Sequence, residues 1–181
     1  EAMGSIYACV ALIAVSITVE VFIPYFLQTI HGYEPLPAGY LTALMSFGWT
    51  AGSIFSSGRK PAMAKVLMRA GPATISISLV ALAVLMPMLH LTQTHWFWVM
   101  LAPLVGVGLG IGISWPHLLS QVFKSAPKGQ ESIASGAVIT VQLFALAIGS
   151  TIAGMIVNAA GITNPGGVPG AQSAEYALLF A

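Results

Sequence analysis

The chain has 181 residues, of which 57% are hydrophobic and 6% charged, with six Lys or Arg, five Glu and a formal net charge of +1. Soluble domains carry about 25% charged residues, and eleven charges cannot cover the surface of a water-soluble globule of this size. The apolar residues fall into blocks of the roughly 20 residues needed to cross a hydrocarbon core of about 30 Å.

These blocks predict an all-α transmembrane helical bundle of five complete spans, at residues 3–30, 38–57, 71–91, 96–123 and 132–160, with a sixth beginning at 175. Membrane β-strands are excluded, because they need only about ten residues and alternate polar with apolar positions. The chain opens on Glu1 inside a helical pattern, without the basic start and cleavage site of a signal peptide. It closes on Ala181 inside a hydrophobic segment, so it is expected to be a stretch of a longer polypeptide.

In the first span Ser5, Cys9, Ser16 and Glu20 fall within about 60° of one another at 100° per residue, with Gln28 somewhat off that line. Cys9 is the single cysteine, which excludes an internal disulfide and a cysteine-based metal site. Glu20 lies 11 residues before His31, about 16 Å in from that end at 1.5 Å per residue. It reads as the only carboxylate deep inside a span. An ionisable group at such depth is costly and is a functional hypothesis by default, and burial favours its neutral acid. A structural role is the alternative, either as a protonated Glu hydrogen-bonded to a neighbouring helix or as one near enough to the outer surface to be solvated.

Turn chemistry at His31-Gly32-Tyr33-Glu34-Pro35-Leu36-Pro37 ends this span. In the second, Thr42, Ser46, Thr50, Ser53 and Ser57 step by four, four, three and four, one helix face. A break at residues 58–61 and the third span follow, then a break at Thr92 to His95. The fourth span holds Gly106, Gly108, Gly110 and Gly112, then Ser114-Trp115-Pro116-His117. A dinucleotide-binding loop would need a preceding strand, so Gly106/Gly110 and Gly108/Gly112 are assigned to close helix packing. Pro116 removes one backbone bond and bends the helix, which suits a gate. His117 is a candidate proton relay, or an interfacial, hydrogen-bonded side chain. After Ala126-Pro127-Lys128-Gly129, the fifth span places Ser132, Ser135, Gln142 and Ser150 near one stripe. Small hydroxyls singly serve as packing glue; three striped helices together predict a shared polar cavity lined by Ser16, Gln28, Thr42, Ser46, Thr50, Ser53 and Gln142.

Basic residues orient the bundle. Arg59, Lys60, Lys65, Arg69, Lys124 and Lys128 all lie in the breaks at 58–70 and 124–131, and the other breaks contain none. That asymmetry makes these two loops cytoplasmic, and Trp96 and Trp98 at the opposite boundary fit an aromatic belt. Asp is absent and no nucleophile–base–acid set appears, so enzyme chemistry is disfavoured. His90 and His95 alone make a weak metal signal; neither a metal nor a cofactor is expected, and nucleic acid is not an expected partner.

Ile23-Pro24-Tyr25-Phe26-Leu27-Gln28, His31-Gly32 and Leu36-Pro37-Ala38-Gly39-Tyr40 resemble the start of the C-terminal half of drug:proton antiporters of the major facilitator superfamily. Gly48-Trp49-Thr50-Ala51-Gly52-Ser53 resembles the second helix of that half, and the glycine run with Pro116 the fourth. Ala126-Pro127 with Gly129, Ala134-Ser135-Gly136 and Gln142 to Gly149 resemble the next loop and fifth helix. The loop motif after the second helix, with Arg59, Arg69 and Gly71, departs from the pattern: Met68 stands where an Asp is usual. The resemblance implies half of a two-part fold that rocks around a midplane cavity. It also implies an N-terminal six-helix half as partner, a location in the bacterial inner membrane, and secondary transport. The cargo would be an amphipathic organic compound exported against protons. Uptake of a small metabolite, or a non-transporting sensor or assembly subunit on the same scaffold, are the other readings.

The topology is testable by chemical labelling. Cysteines at Glu34 and Thr163 should react with an impermeant reagent outside intact cells, whereas one at Lys128 should not; external labelling at Lys128 would overturn the orientation.

Overall fold

The computed structural model describes residues 2–87 and 93–180, with side chains from Met3 in the first stretch and from Phe97 in the second. The helices are α1 (Ala2–Ile17), α2 (Ile23–His31), α3 (Pro35–Ser56), α4 (Pro61–Leu85), α5 (Gln93–Ser125), α6 (Glu131–Ala159) and α7 (Gly167–Leu179), with a 3-10 turn at Thr18–Val21. No strand occurs among the described residues, and the chain is an all-α transmembrane bundle. The end of the third predicted span, His90 and Thr92 lie outside the described residues, as do the side chains of His95 and Trp96.

α5 is the centre of the bundle, with α3 and α4 packed along it. Its glycines divide between the two neighbours. A Cβ on Gly108 or Gly112 would collide with the backbone carbonyls of Met45 and Trp49 on α3, while one on Gly110 would meet the carbonyl oxygen of Gly71 on α4 at 2.7 Å. The neighbours answer in kind: a Cβ on Gly52 would lie 2.8 Å from the Leu109 carbonyl oxygen, and one on Gly71 would lie 2.6 Å from that of Gly110. Such approach of backbone to backbone is open only to residues without a side chain. Pro116 cannot donate to the Gly112 carbonyl, and Ser56 Oγ of α3 donates to that oxygen instead at 3.2 Å. α5 therefore continues as one helix through Pro116 to Ser125.

The first predicted span is broken rather than continuous. Pro24 has no N–H for the Glu20 carbonyl and its ring crowds that oxygen. Just upstream, the Ser16 and Thr18 hydroxyls donate to the carbonyls of Ile13 and Val15 at 2.8 and 2.7 Å, a local alternative to the helical ladder. The chain passes through the 3-10 turn and restarts as α2, which Gly32 closes at φ 68°, a left-handed cap suited to glycine. His31 Nε2 then pairs with the Met86 carbonyl at 2.7 Å, joining the ends of α2 and α4.

Three further boundaries differ from the sequence expectation. α4 begins at Pro61, so Lys65, Arg69 and Gly71 are helical and the break at 58–70 shrinks to a short turn; Pro is well placed at the first position of a helix. Gln93 to His95 open α5 instead of forming a turn, and the last helix starts at Gly167 instead of residue 175. Four helical stretches among the described residues are long and apolar enough to cross a membrane, Met3–His31, Pro61–Leu85, Phe97–Ser125 and Glu131–Ala159, against the five expected. α3 has 22 residues, but its Thr, Ser and Gly content keeps it out of that set.

The α5 glycines generate a paired test. Gly108→Val should lower the stability of the purified protein by about 3 kcal/mol or more, since the obstacle is backbone. Gly136→Val, with nothing within 4 Å of its Cβ, should leave the thermal midpoint close to that of the parent.

Candidate functional site

α3 carries three distinct sectors. Leu41, Met45, Gly48, Gly52 and Ser56 are buried against α5. On one flank, at 100° per residue, lie Thr42, Ser46, Thr50, Ser53 and Ser57. Thr42 and Ser53 are half-buried, and Ser46, Thr50 and Ser57 exposed. On the other flank Tyr40, Phe47, Ile54 and Phe55 are 65–70% exposed. Three of the five hydroxyls bond within their own helix: Thr42 donates to Ala38 at 2.9 Å, Thr50 to Ser46 at 3.0 Å and Ser57 to Ser53 at 2.5 Å. A helix in lipid alone has no use for two chemically different exposed flanks.

A cavity of about 760 Å³ lies elsewhere, between α1, α4 and α5 at the end of the bundle that carries the Lys and Arg residues. Ser5, Cys9, Leu12 and Ser16 line it from α1, Arg69, Pro72 and Ser76 from α4, and Leu118, Gln121 and Ser125 from α5. Of the residues singled out in the sequence, the cavity gathers Ser5, Cys9 and Ser16 of the first-span stripe and Arg69; the α3 stripe, Gln28, Glu20 and Gln142 do not line it. α7 packs on α2 and α4, so the cavity prolongs toward the basic end the groove that α7 fills at the opposite end.

Glu20 sits in the 3-10 turn between α1 and α2 and is half-buried. The half-buried Gln28 donates its amide to the Pro24 carbonyl at 3.0 Å. Gln142 and Ser135 are half-buried on α6, while Ser132 and Ser150 are exposed. Arg59 is exposed and donates through Nε to the Phe55 carbonyl at 2.9 Å. His117 is buried on α5 with Nε2 unpartnered; two residues before it, Trp115 forms an edge-to-face pair with Trp49 of α3, the centroids 6.3 Å apart.

Glu20 is not the only carboxylate placed in the packed interior. Glu175 is 0% exposed, on the packed face of α7 with Gly170, Ala171, Ala174 and Leu178. The sequence signal was present in that spacing, at i−5, i−4, i−1 and i+3. Starting the last span at residue 175 leaves Gly170, Ala171 and Ala174 outside the helix, so the pattern is cut off at Glu175 itself.

The chain belongs to the Major Facilitator Superfamily, whose family model matches residues 2–150. Among curated proteins it is similar to two probable multidrug-efflux transporters of Mycobacterium tuberculosis, from strains CDC 1551 / Oshkosh and ATCC 25618 / H37Rv. Each is 31% identical over 172 residues, covering 86% of this chain and 33% of the relative. The chain thus spans about a third of the length of these relatives. No solved structure matches it.

The two exposed flanks of α3 can be told apart in a Cys9→Ser background of the full-length protein. Cysteines at Ser46 and Thr50 should react with a hydrophilic maleimide at least tenfold faster than cysteines at Phe47 and Ile54. Equal, slow reaction at all four positions would place the stripe against lipid.

Proposed function

We propose that this chain is the C-terminal half of a proton-coupled secondary transporter that exports amphipathic organic compounds across a bacterial inner membrane. The observation that carries this reading is the exposed polar flank of α3, set between a face packed on α5 and an apolar flank. An N-terminal six-helix half laid over the polar flank would enclose a path lined by hydroxyls on one side. Gln28 and Gln142 are the corresponding polar positions on the first span and α6, whereas Ser16 opens into the cavity between α1, α4 and α5. Membership of the Major Facilitator Superfamily supports transport, and the similarity to probable multidrug-efflux transporters supports export of organic compounds. The described spans hold no basic residue beyond the turns near their basic ends, which favours neutral or cationic cargo over anions. The Lys- and Arg-bearing end is the cytoplasmic one in this reading.

Glu20 is the coupling residue of choice. It stands at a helix break and is half-buried, so a modest change in packing alters its hydration. Water or a cationic cargo favours the carboxylate, and closure favours the acid. Rocking of the two halves would then exchange a proton for cargo. His117 is a second candidate for the relay. The glycine contacts of Gly106, Gly108, Gly110 and Gly112 hold α3, α4 and α5 together as the helices move.

Glu20→Gln keeps the shape and fixes the neutral state. In the full-length protein reconstituted into vesicles, it should reduce proton-driven transport to the level seen without a pH gradient while preserving downhill exchange. Normal proton-driven transport by this variant between about pH 6 and pH 8 would assign Glu20 a structural role and move the coupling site to the other half.

A further inference from the structure

Glu175 is fully buried, and neither Oε1 nor Oε2 has a hydrogen-bond partner. It lies on α7, which packs on α2, α4 and α6. Ala174 and Leu178 of this helix belong to the same buried apolar cluster as Phe26, Leu27, Leu82 and Val157. Among the described residues, the ionisable groups on the surrounding elements stand apart from it. α2 offers Tyr25, which is exposed, and His31, whose Nε2 is engaged with the Met86 carbonyl. α4 has Lys65 and Arg69 toward its basic end, and α6 has Glu131 at its first residue, likewise at that end. On α7 itself Tyr176 is exposed. None of these reaches the carboxyl, since both of its oxygens are unpartnered.

A buried carboxylate without a counter-charge or hydrogen bonds is strongly disfavoured. A metal ion would require several converging oxygen or nitrogen ligands, and no group of three or more His, Cys, Asp or Glu among the described residues could supply them. The ligand that needs no further donor is a proton.

We propose that Glu175 is a proton-binding site of this bundle, holding its proton for as long as α7 stays packed on α2, α4 and α6. The site is separate from Glu20 at the break between α1 and α2. Its carboxyl gains one proton from water as the groove closes and returns it when water enters. Nothing in this step requires transport, so it stands or falls independently of the function proposed above.

Infrared difference spectroscopy on the full-length protein in lipid vesicles tests it. The spectrum of the parent minus that of Glu175→Gln at neutral pH should contain the carbonyl stretch of a protonated carboxylic acid. The same band should appear against Glu175→Leu, which serves alone if the Gln variant does not reach the membrane. The band should shift in heavy water and give way to the carboxylate stretch only in alkaline medium. A carboxylate stretch already present in the difference spectrum at neutral pH would overturn the proposal, as would the absence of any acid band against either variant.

Discussion

The structure depends on backbone meeting backbone along α5. In an apolar medium there is no hydrophobic force between helices, so association relies on close van der Waals contact and on polar groups satisfied internally. The glycine run supplies the first requirement on two sides at once. Gly108 and Gly112 seat α3, and Gly110 seats α4 through Gly71. The alternation is a consequence of helical geometry: residues four apart share a face, and residues two apart point in different directions. One short run can therefore join three helices, and the flanks of α3 that remain outside this contact are set by it.

Proline then has opposite consequences at two places. At Pro116 the carbonyl left without its usual donor belongs to Gly112, which faces α3, and Ser56 is close enough to donate to it. The close packing that glycine allows is what brings a neighbouring hydroxyl within reach, so the helix is preserved. At Pro24 the first span lies against α6 with Gly149 near Thr18 and Val15, but the hydroxyls of Ser16 and Thr18 are spent on their own helix. The ladder gives way to a 3-10 turn, and Glu20 is carried on it.

Much of the architecture was legible in the residues. The apolar blocks, the segregation of Lys and Arg, and the small-residue pairs on the fourth span follow from strong, local physical rules. Helix starts were less legible, because Pro61 and Pro169 look like loop residues in sequence yet are favourable near the first position of a helix. Lys65 and Arg69 were read as loop for a similar reason, although long basic side chains sit readily on a helix whose end lies at a membrane surface. The candidate site was legible only in part. Periodicity placed Thr42, Ser46, Thr50 and Ser53 on one flank, but which helices share a cavity depends on how α4 and α5 cross. Ser16 consequently faces Arg69, Pro72 and Gln121 instead of the α3 stripe.

The distribution of satisfied polar groups gives the remaining exceptions their weight. Several Ser and Thr side chains of the bundle return their protons to carbonyls three or four residues back, as Thr74, Ser114, Thr140 and Thr151 do. Such bonds let a polar residue face apolar surroundings without a partner on another helix. Against that background the only buried side-chain polar atoms without a partner among the described residues are His117 Nε2 and the two oxygens of Glu175. Leu or Met would fill either space without a desolvation cost. A bundle that ties many of its hydroxyls to its own backbone yet keeps a buried imidazole nitrogen and a carboxyl without partners retains the two side-chain types whose polarity changes with a proton.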